Sequence, residues 1–432
     1  MHRSARLIVS GAALTLLTTA PGVLRAQNPA PRDSAAAAAQ DSMTERLERA
    51  ERAIERLQRQ LEEQNQAKVQ SRLRNRVELS GLILLNGFYN NTQVNNADVP
   101  QFVVAPDTTG LPNAALGATV RQSRLGITVS GAHALGAQLS GDLQMDFAGG
   151  QQPSSGGRTF PLPRVRTAFA KLDWRHIGLL IGQETQIISP LNPVSFAAIE
   201  TPEFTAAGNL WFWVPQVRVT YETGARPRFG LQGAALAPMS GTPQTEFSTV
   251  ADTAERSRRP MVQGRAYIGW GDGDAESQIG VGVHRSWFAT LGDTLLTSQA
   301  YTADLRLAFG EKVQILAEGY YNGSALAGLG GGGIGQNFGV NHVPVDTRGG
   351  WAQLNLRPSF SWEFGGGAGM DDPDDTDLPV TGRLKNMIYE GHLHWRPGGG
   401  LIIGGAFRRI ETTYATGVRS ANVVAFFSGV AF

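Results

Sequence analysis

Residues 422–432 read NVVAFFSGVAF, and Val424, Phe426, Val430 and Phe432 fall on one face of an extended chain. A period of two places successive side chains on opposite sides of a strand, so this run calls for a strand whose one face meets an apolar environment. Chain ends of globular domains more often fray. A terminal strand closed by an aromatic residue therefore directs attention to the strands that precede it.

Working backward, the same alternation recurs. At 123–130, Leu125, Ile127 and Val129 share one face and Arg124, Thr128 and Ser130 the other. At 138–147, Leu139, Leu143, Met145 and Phe147 oppose Gln138, Ser140, Asp142, Gln144 and Asp146. Comparable runs lie at 215–222, 261–270, 278–284, 301–309, 313–321, 351–357 and 387–396. Each approaches the about 9–11 residues that a tilted strand needs to cross hydrocarbon. From Val77 to Phe432 the count is sixteen, an even number as a single-chain bacterial barrel requires.

The connections give an independent check. With the first strand running outward, the odd connections are 91–117, 149–161, 185–213, 237–259, a short 290–295, 323–346, 366–383 and 413–419. The even ones are tight: 132–136, 173–176, 223–227, 271–275, 310–311, 358–359 and 397–399. Long external loops alternating with short turns fit a transmembrane barrel. Tyr89, Phe147, Trp174, Tyr221, Trp270, Trp287, Tyr301, Phe309, Trp351, Trp362 and Trp395 stand near strand ends, where aromatic girdles form.

Composition agrees. The 432 residues include 53 Gly and 22 Pro, with 17% charged and 41% hydrophobic residues, as expected of strands with one lipid face and one wet face. Beyond the amino terminus no continuous apolar run reaches the length of a transmembrane helix, so residence in a membrane requires a closed barrel. The chain has no cysteine, which removes disulfides and thiolate metal sites. A formal charge of +1 points to no nucleic-acid partner.

Four regions are expected. Residues 1–26 carry His2, Arg3 and Arg6 ahead of an apolar stretch at 7–17 and a small residue, Ala26, which reads as a cleaved secretory signal peptide. Residues 27–42 form a Pro-, Ala- and Ser-bearing linker. Residues 43–75 read as a periplasmic coiled-coil helix: Met43, Leu47, Ala50, Ile54, Leu57 and Leu61 step alternately by four and three, the a/d seam of an oligomer. Residues 77–432 are the barrel.

The final strand and its Phe432 resemble the recognition signal read by the outer-membrane assembly machinery of Gram-negative bacteria. The barrel resembles the DcaP-type trimeric outer-membrane porins and, more distantly, the phosphate-selective porins. RQSRLGITVSG at 121–131, DLQMDFAG at 142–149, PRVRTAFAKL with LLIGQET within 163–185, WVPQVRVTY at 213–221 and GMDDPDD at 369–375 carry the likeness in family order. It implies a homotrimer in a lipid bilayer with lipopolysaccharide and small organic anions as solutes.

By strand parity Arg124, Arg164, Arg166, Arg218, Arg265, Arg306 and Arg357 face the lumen as pore-lining residues, with Asp142, Asp146, Asp304, Glu318 and Glu390 also inward. Arginine stays charged and presents a planar fork of donors suited to carboxylates and phosphates. These side chains could instead pair with wall carboxylates and set a transverse field. The long connection 185–213, with Glu200 and Glu203, is the candidate constriction loop; an outward surface loop is the alternative.

Catalytic readings find little. His392 and His394 sit two apart on one strand face with Glu390, but the pattern offers no third convergent ligand, so no metal and no cofactor are expected. The Gly-rich 329–335 lacks a following Lys-Ser/Thr and reads as a flexible loop, not a phosphate cradle. The acidic run from Asp371 to Asp377 does not match a calcium-binding loop. The sequence thus indicates a passive channel for small hydrophilic solutes, not an enzyme. A plugged barrel anchoring the helical segment to the cell wall is the other reading.

Overall fold

The computed structural model describes residues 76–150, 161–224, 226–241 and 250–432. The expected signal peptide, linker and heptad seam lie outside the described residues.

Sixteen antiparallel strands close on themselves. They are β1 (Arg76–Asn90), β2 in two segments (Ala115–Thr119 and Arg124–Ala134), β3 (Ala137–Asp146), β4 (Arg164–Asp173), β5 (Ile177–Thr185), β6 (Trp213–Glu222), β7 (Arg228–Leu236) and β8 (Met261–Trp270). Then follow β9 (Ser277–Ala289), β10 (Leu295–Phe309), β11 (Val313–Ser324), β12 (Asp346–Ser359), β13 (Trp362–Pro373), β14 (Lys385–Gly398), β15 (Leu401–Tyr414) and β16 (Gly417–Ala431). β16 returns to β1 in a register from Leu82↔Ala431 to Asn90↔Val423. Closure leaves no unpaired strand edge, which a lipid environment demands.

The alternation read from the sequence sorts the two faces. Val424, Phe426 and Val430 point outward and are exposed, while Val423, Ala425 and Phe427 between them are buried. Phe432 stays outward at the rim, exchanging backbone hydrogen bonds with Gly81 of 2.9 and 3.0 Å. Its ring lies where a side chain on Gly81 would stand, so only glycine permits this terminal contact. Outward Leu125, Ile127, Val165, Val217, Val219, Val281 and Val283 extend the apolar belt. Trp362 and Trp395, on neighbouring strands, stack at 5.7 Å near its edge.

Short turns occupy one rim; the other carries the longer loops, together with the five-residue 290–294 and the two-residue 415–416. The turn between β2 and β3 is Leu135–Gly136, with positive φ at both residues (53° and 75°), the primed geometry that matches strand twist.

Several details differ from the sequence reading. β13 runs on to Pro373 through the first part of the expected loop 366–383, and the expected connection 413–419 shrinks to 415–416, because the strands extend beyond the apolar alternation. β2 begins earlier than 123 but breaks at 120–123, because Arg121 leaves the ladder to bury its guanidinium against Asp98 at 2.5 Å. Ser123 fills the gap by accepting from the Leu84 amide at 3.0 Å. β10 and β12 begin about half a dozen residues before the apolar alternation does, since strands continue beyond the lipid band. Trp351 is not a girdle residue: it is 3% exposed and stacks on Phe204 inside the barrel at 5.9 Å.

Candidate pore constriction

The third external loop, 186–212 (L3), folds into the barrel and is held by polar residues of the inner wall. The Ile187 amide donates to Gln263 of β8 at 3.1 Å. Glu318 of β11 accepts from the Ser189 hydroxyl and from the Leu191 amide, the latter at 2.6 Å. Gln353 of β12 bridges both backbone groups of Val194 at 2.7 and 3.0 Å. Asn86 of β1 donates to the Phe196 carbonyl at 2.7 Å, and Asn386 of β14 to that of Ala206 at 2.8 Å. Arg408 of β15 pairs with Glu203, its Nε at 2.9 Å. Burial pushes the Glu203 carboxyl above its ordinary range, opposed by the Arg408 charge. Irregular backbone inside a barrel needs such partners, because every buried amide and carbonyl must be satisfied.

Apolar contacts complete the seat. Phe196 and Ala197 cover Leu82, Leu84 and Phe427, the inner faces of β1 and β16. Ile187, Ile188 and Leu210 pack with Leu236, Met261 and Leu329. The Gly-rich 329–335 is packed rather than flexible. Gly333 and Ile334 donate their amides to Asp371 at 3.2 and 2.7 Å, and Leu329 receives the Trp211 amide at 3.0 Å. A side chain on Gly331 would meet the Ala206 backbone, so the glycines allow the two loops to touch.

Opposite L3 stands a basic wall. Asp146 of β3 accepts two bonds from Arg164 of β4, at 3.1 and 2.8 Å, and one from Arg166 at 3.2 Å. Arg124 of β2 faces Asp146 in register. The Arg166 and Arg164 guanidiniums lie 4.3 and 5.2 Å from the centre of the Trp213 ring. Glu200 is the point where L3 reaches this wall: its carboxylate pairs with Arg121 at 3.2 Å and its carbonyl accepts from Arg164 at 2.6 Å. Burial raises the Glu200 carboxyl above its ordinary range, offset in part by Arg121 and Arg164. Between wall and loop lies an opening of about 350 Å³, bordered by Arg124, Asp146, Arg166, Glu200, Trp213 and Arg396.

The residues expected in the lumen thus divide. Arg124, Arg166, Asp146 and Glu200 border this opening, with Arg164 beside them on Asp146 and the Glu200 carbonyl. Arg265 and Asp304 form a separate buried pair at 2.6 Å, and Arg218 donates to Gln216 at 3.1 Å and to the Thr185 carbonyl. Asp142 accepts from Thr128 and Thr167 at 3.1 and 2.6 Å. Arg357 binds Glu363 at 2.7 Å, and Arg306 stands on the same strand face as Asp304. Glu203, also on L3, is turned to Arg408 of β15 and does not border the opening. Sequence reasoning missed Arg121, Asp98, Trp213 and Glu363.

No protein-family model matches the chain, and no curated protein matches it by sequence. Solved structures match in fold. The outer membrane channel DcaP of Acinetobacter baumannii superposes with a TM-score of 0.65 at 17% identity, over 85% of this chain and 100% of that one. An anion-selective porin from Comamonas acidovorans gives 0.52 at 14% identity, over 83% and 100%. The trimer form of OmpT, an outer membrane protein of Vibrio cholerae, gives 0.51 at 11%, over 83% and 99%. The chain therefore has the fold of an outer-membrane porin.

Proposed function

We propose that this protein is a homotrimeric porin of the Gram-negative outer membrane, through which small hydrophilic solutes, small organic anions preferentially, diffuse down their gradients. The observation that carries this reading is the opening between L3 and the basic wall. Among the described residues, Arg124, Arg164 and Arg166 gather around a single wall carboxylate, Asp146, and Glu200 of L3 also pairs with Arg121, so positive charge is in excess on the near wall. Each guanidinium is a fixed fork that can hand a carboxylate onward without losing its charge. The solved anion-selective porin and the trimeric form of a porin-fold protein support selectivity and assembly by likeness of fold. Passage needs no reaction, so no cofactor is invoked.

In the outer membrane the short-turn rim faces the periplasm. Phe432 is then available to the assembly machinery, and the amino-terminal segment lies in the periplasm. The apolar belt meets lipid and, in the outer leaflet, lipopolysaccharide.

The test is the reversal potential of single channels in a planar bilayer under a salt gradient. Wild-type protein is expected to conduct in steps with an anion-selective reversal potential. Arg124→Gln with Arg166→Gln is expected to reduce the anion-to-cation permeability ratio severalfold while leaving conductance steps in place. Unchanged selectivity would remove these arginines from the solute path, and silence from folded protein would favour the plugged anchor.

A further inference from the structure

Next to Arg396, at the edge of the opening, lies a cluster that permeation does not use. Glu363 of β13 is paired in register with His394 of β14, and Gly365 with His392, so two adjacent strands bring one carboxylate and two imidazoles to one inward face. Glu363 Oε1 lies 3.0 Å from His394 Nδ1 and 3.9 Å from His392 Nε2, and one ligand atom from each residue falls within 4.8 Å of the other two. Both imidazole side chains are fully buried and stack with ring centres 4.3 Å apart.

The surroundings orient these three groups. Glu363 gives its other oxygen to Arg357 and Arg396 at 2.7 and 3.3 Å, which fixes the carboxylate and leaves Oε1 turned to the histidines. His392 Nδ1 is 2.8 Å from Glu390 Oε1. An imidazole that donates Nδ1–H to a carboxylate carries its lone pair on Nε2, the arrangement in which histidines ligate metals. That Nε2 is buried and has no hydrogen-bond partner, as is Nε2 of His394. Glycine at 365 is what admits the ring: a Cβ there would lie 2.2 Å from His392 Cε1.

We propose that Glu363 Oε1, His392 Nε2 and His394 Nδ1 form a binding site for a divalent transition metal of the zinc type on the inner wall of the barrel. Ligands about 2.0–2.2 Å from a tetrahedral zinc stand roughly 3.3 Å apart, a spacing the 3.0 and 3.9 Å separations bracket. His394 then carries its proton on Nε2. Two imidazole nitrogens and one carboxylate oxygen suit zinc, cobalt, nickel or copper, whereas calcium and magnesium prefer oxygen-only shells. Glu390 acts through His392 as a positioning residue and Phe196, edge-on to His394 at 5.0 Å, shields the site.

The full chain, purified without a polyhistidine tag and stripped of metal, is titrated with Co²⁺ while its visible absorption is followed, and Zn²⁺ is added in competition. One Co²⁺ per chain, with the intense bands of a low-coordinate site and displacement by Zn²⁺, is expected. The double variant His392→Ala, His394→Ala should abolish the spectrum, and Glu390→Gln should weaken binding by about 10–100-fold without abolishing it. Heat-modifiable migration checks that each variant is folded; if the double variant is not, His392→Gln carries the test. Absence of saturable Co²⁺ binding by the folded native chain, or an unchanged spectrum in the folded histidine variant, would overturn the proposal.

Discussion

At the opening three arginines surround Asp146 while Glu200 reaches across from L3, so one further proton changes the local balance appreciably. The Glu200 carboxyl is raised by burial. As pH falls it is therefore neutralised before a freely exposed glutamate would be, and the opening loses one negative charge. Anion preference should rise on acidification. A unit charge about 8 Å from a passing ion, at an effective dielectric of roughly 40–80, is worth about 0.5–1 kcal/mol, or ~2–5-fold in permeability ratio. Reversal potentials measured from neutral to acid pH should show this step in wild type, whereas Glu200→Gln should sit at the acid value throughout; an identical titration in Glu200→Gln would remove Glu200 from the effect. Legibility at this scale followed the period-two rule. Arg124, Asp146, Arg164 and Arg166 lie within strands, where parity assigns a face. Arg121 lies in the break of β2 and Asp98 in a loop, where parity assigns none. Glu363 was missed because β13 and β14 are joined by the long 374–384, and no tight turn fixes which residue faces His394.

L3 is the element that converts a wide barrel into a defined opening. Its length and lack of alternation identify 185–213 as a loop with special duty, and the two acidic residues lie on it as read. Its course could not be read, because the anchors Asn86, Gln263, Glu318, Gln353, Asn386 and Arg408 look like ordinary water-facing lumen residues. The most concentrated anchor is Arg408 on Glu203, which is 4% exposed. Removing one partner of a buried ion pair costs about 3–5 kcal/mol, whereas replacing both by apolar groups can be nearly neutral. Arg408→Ala is therefore expected to loosen L3, seen as flickering of the open channel and faster amide exchange at 199–208. Glu203→Met with Arg408→Met should restore much of the quiet behaviour. A quiet Arg408→Ala channel with native exchange would show that the backbone anchors alone hold the loop.

For the barrel as a whole, the alternation of long and short connections and the outward series Val424, Phe426 and Val430 made closure legible. The inner faces of β1 and β16 were less so, since Leu82, Leu84, Phe88 and Phe427 are apolar where a wet lumen calls for polar groups. Phe196, Ala197 and Ile199 supply the reason by covering them from L3. On the proposed function, the determinants of passage lie within the closed strands and the loop they hold. If residues 43–66 pair as the spacing of Leu47, Ala50, Ile54, Leu57 and Leu61 predicts, three heptads are too short to stand as an isolated helix and gain stability where copies are held together. Deleting 43–66 while retaining the signal should leave unit conductance and selectivity unchanged, because Arg124, Asp146, Arg166 and every L3 anchor remain. The same deletion should lower the temperature at which trimers dissociate on electrophoresis. Loss of conductance by folded, deleted barrels would instead make the segment part of the channel, and unaltered trimers would deny the seam its oligomeric role.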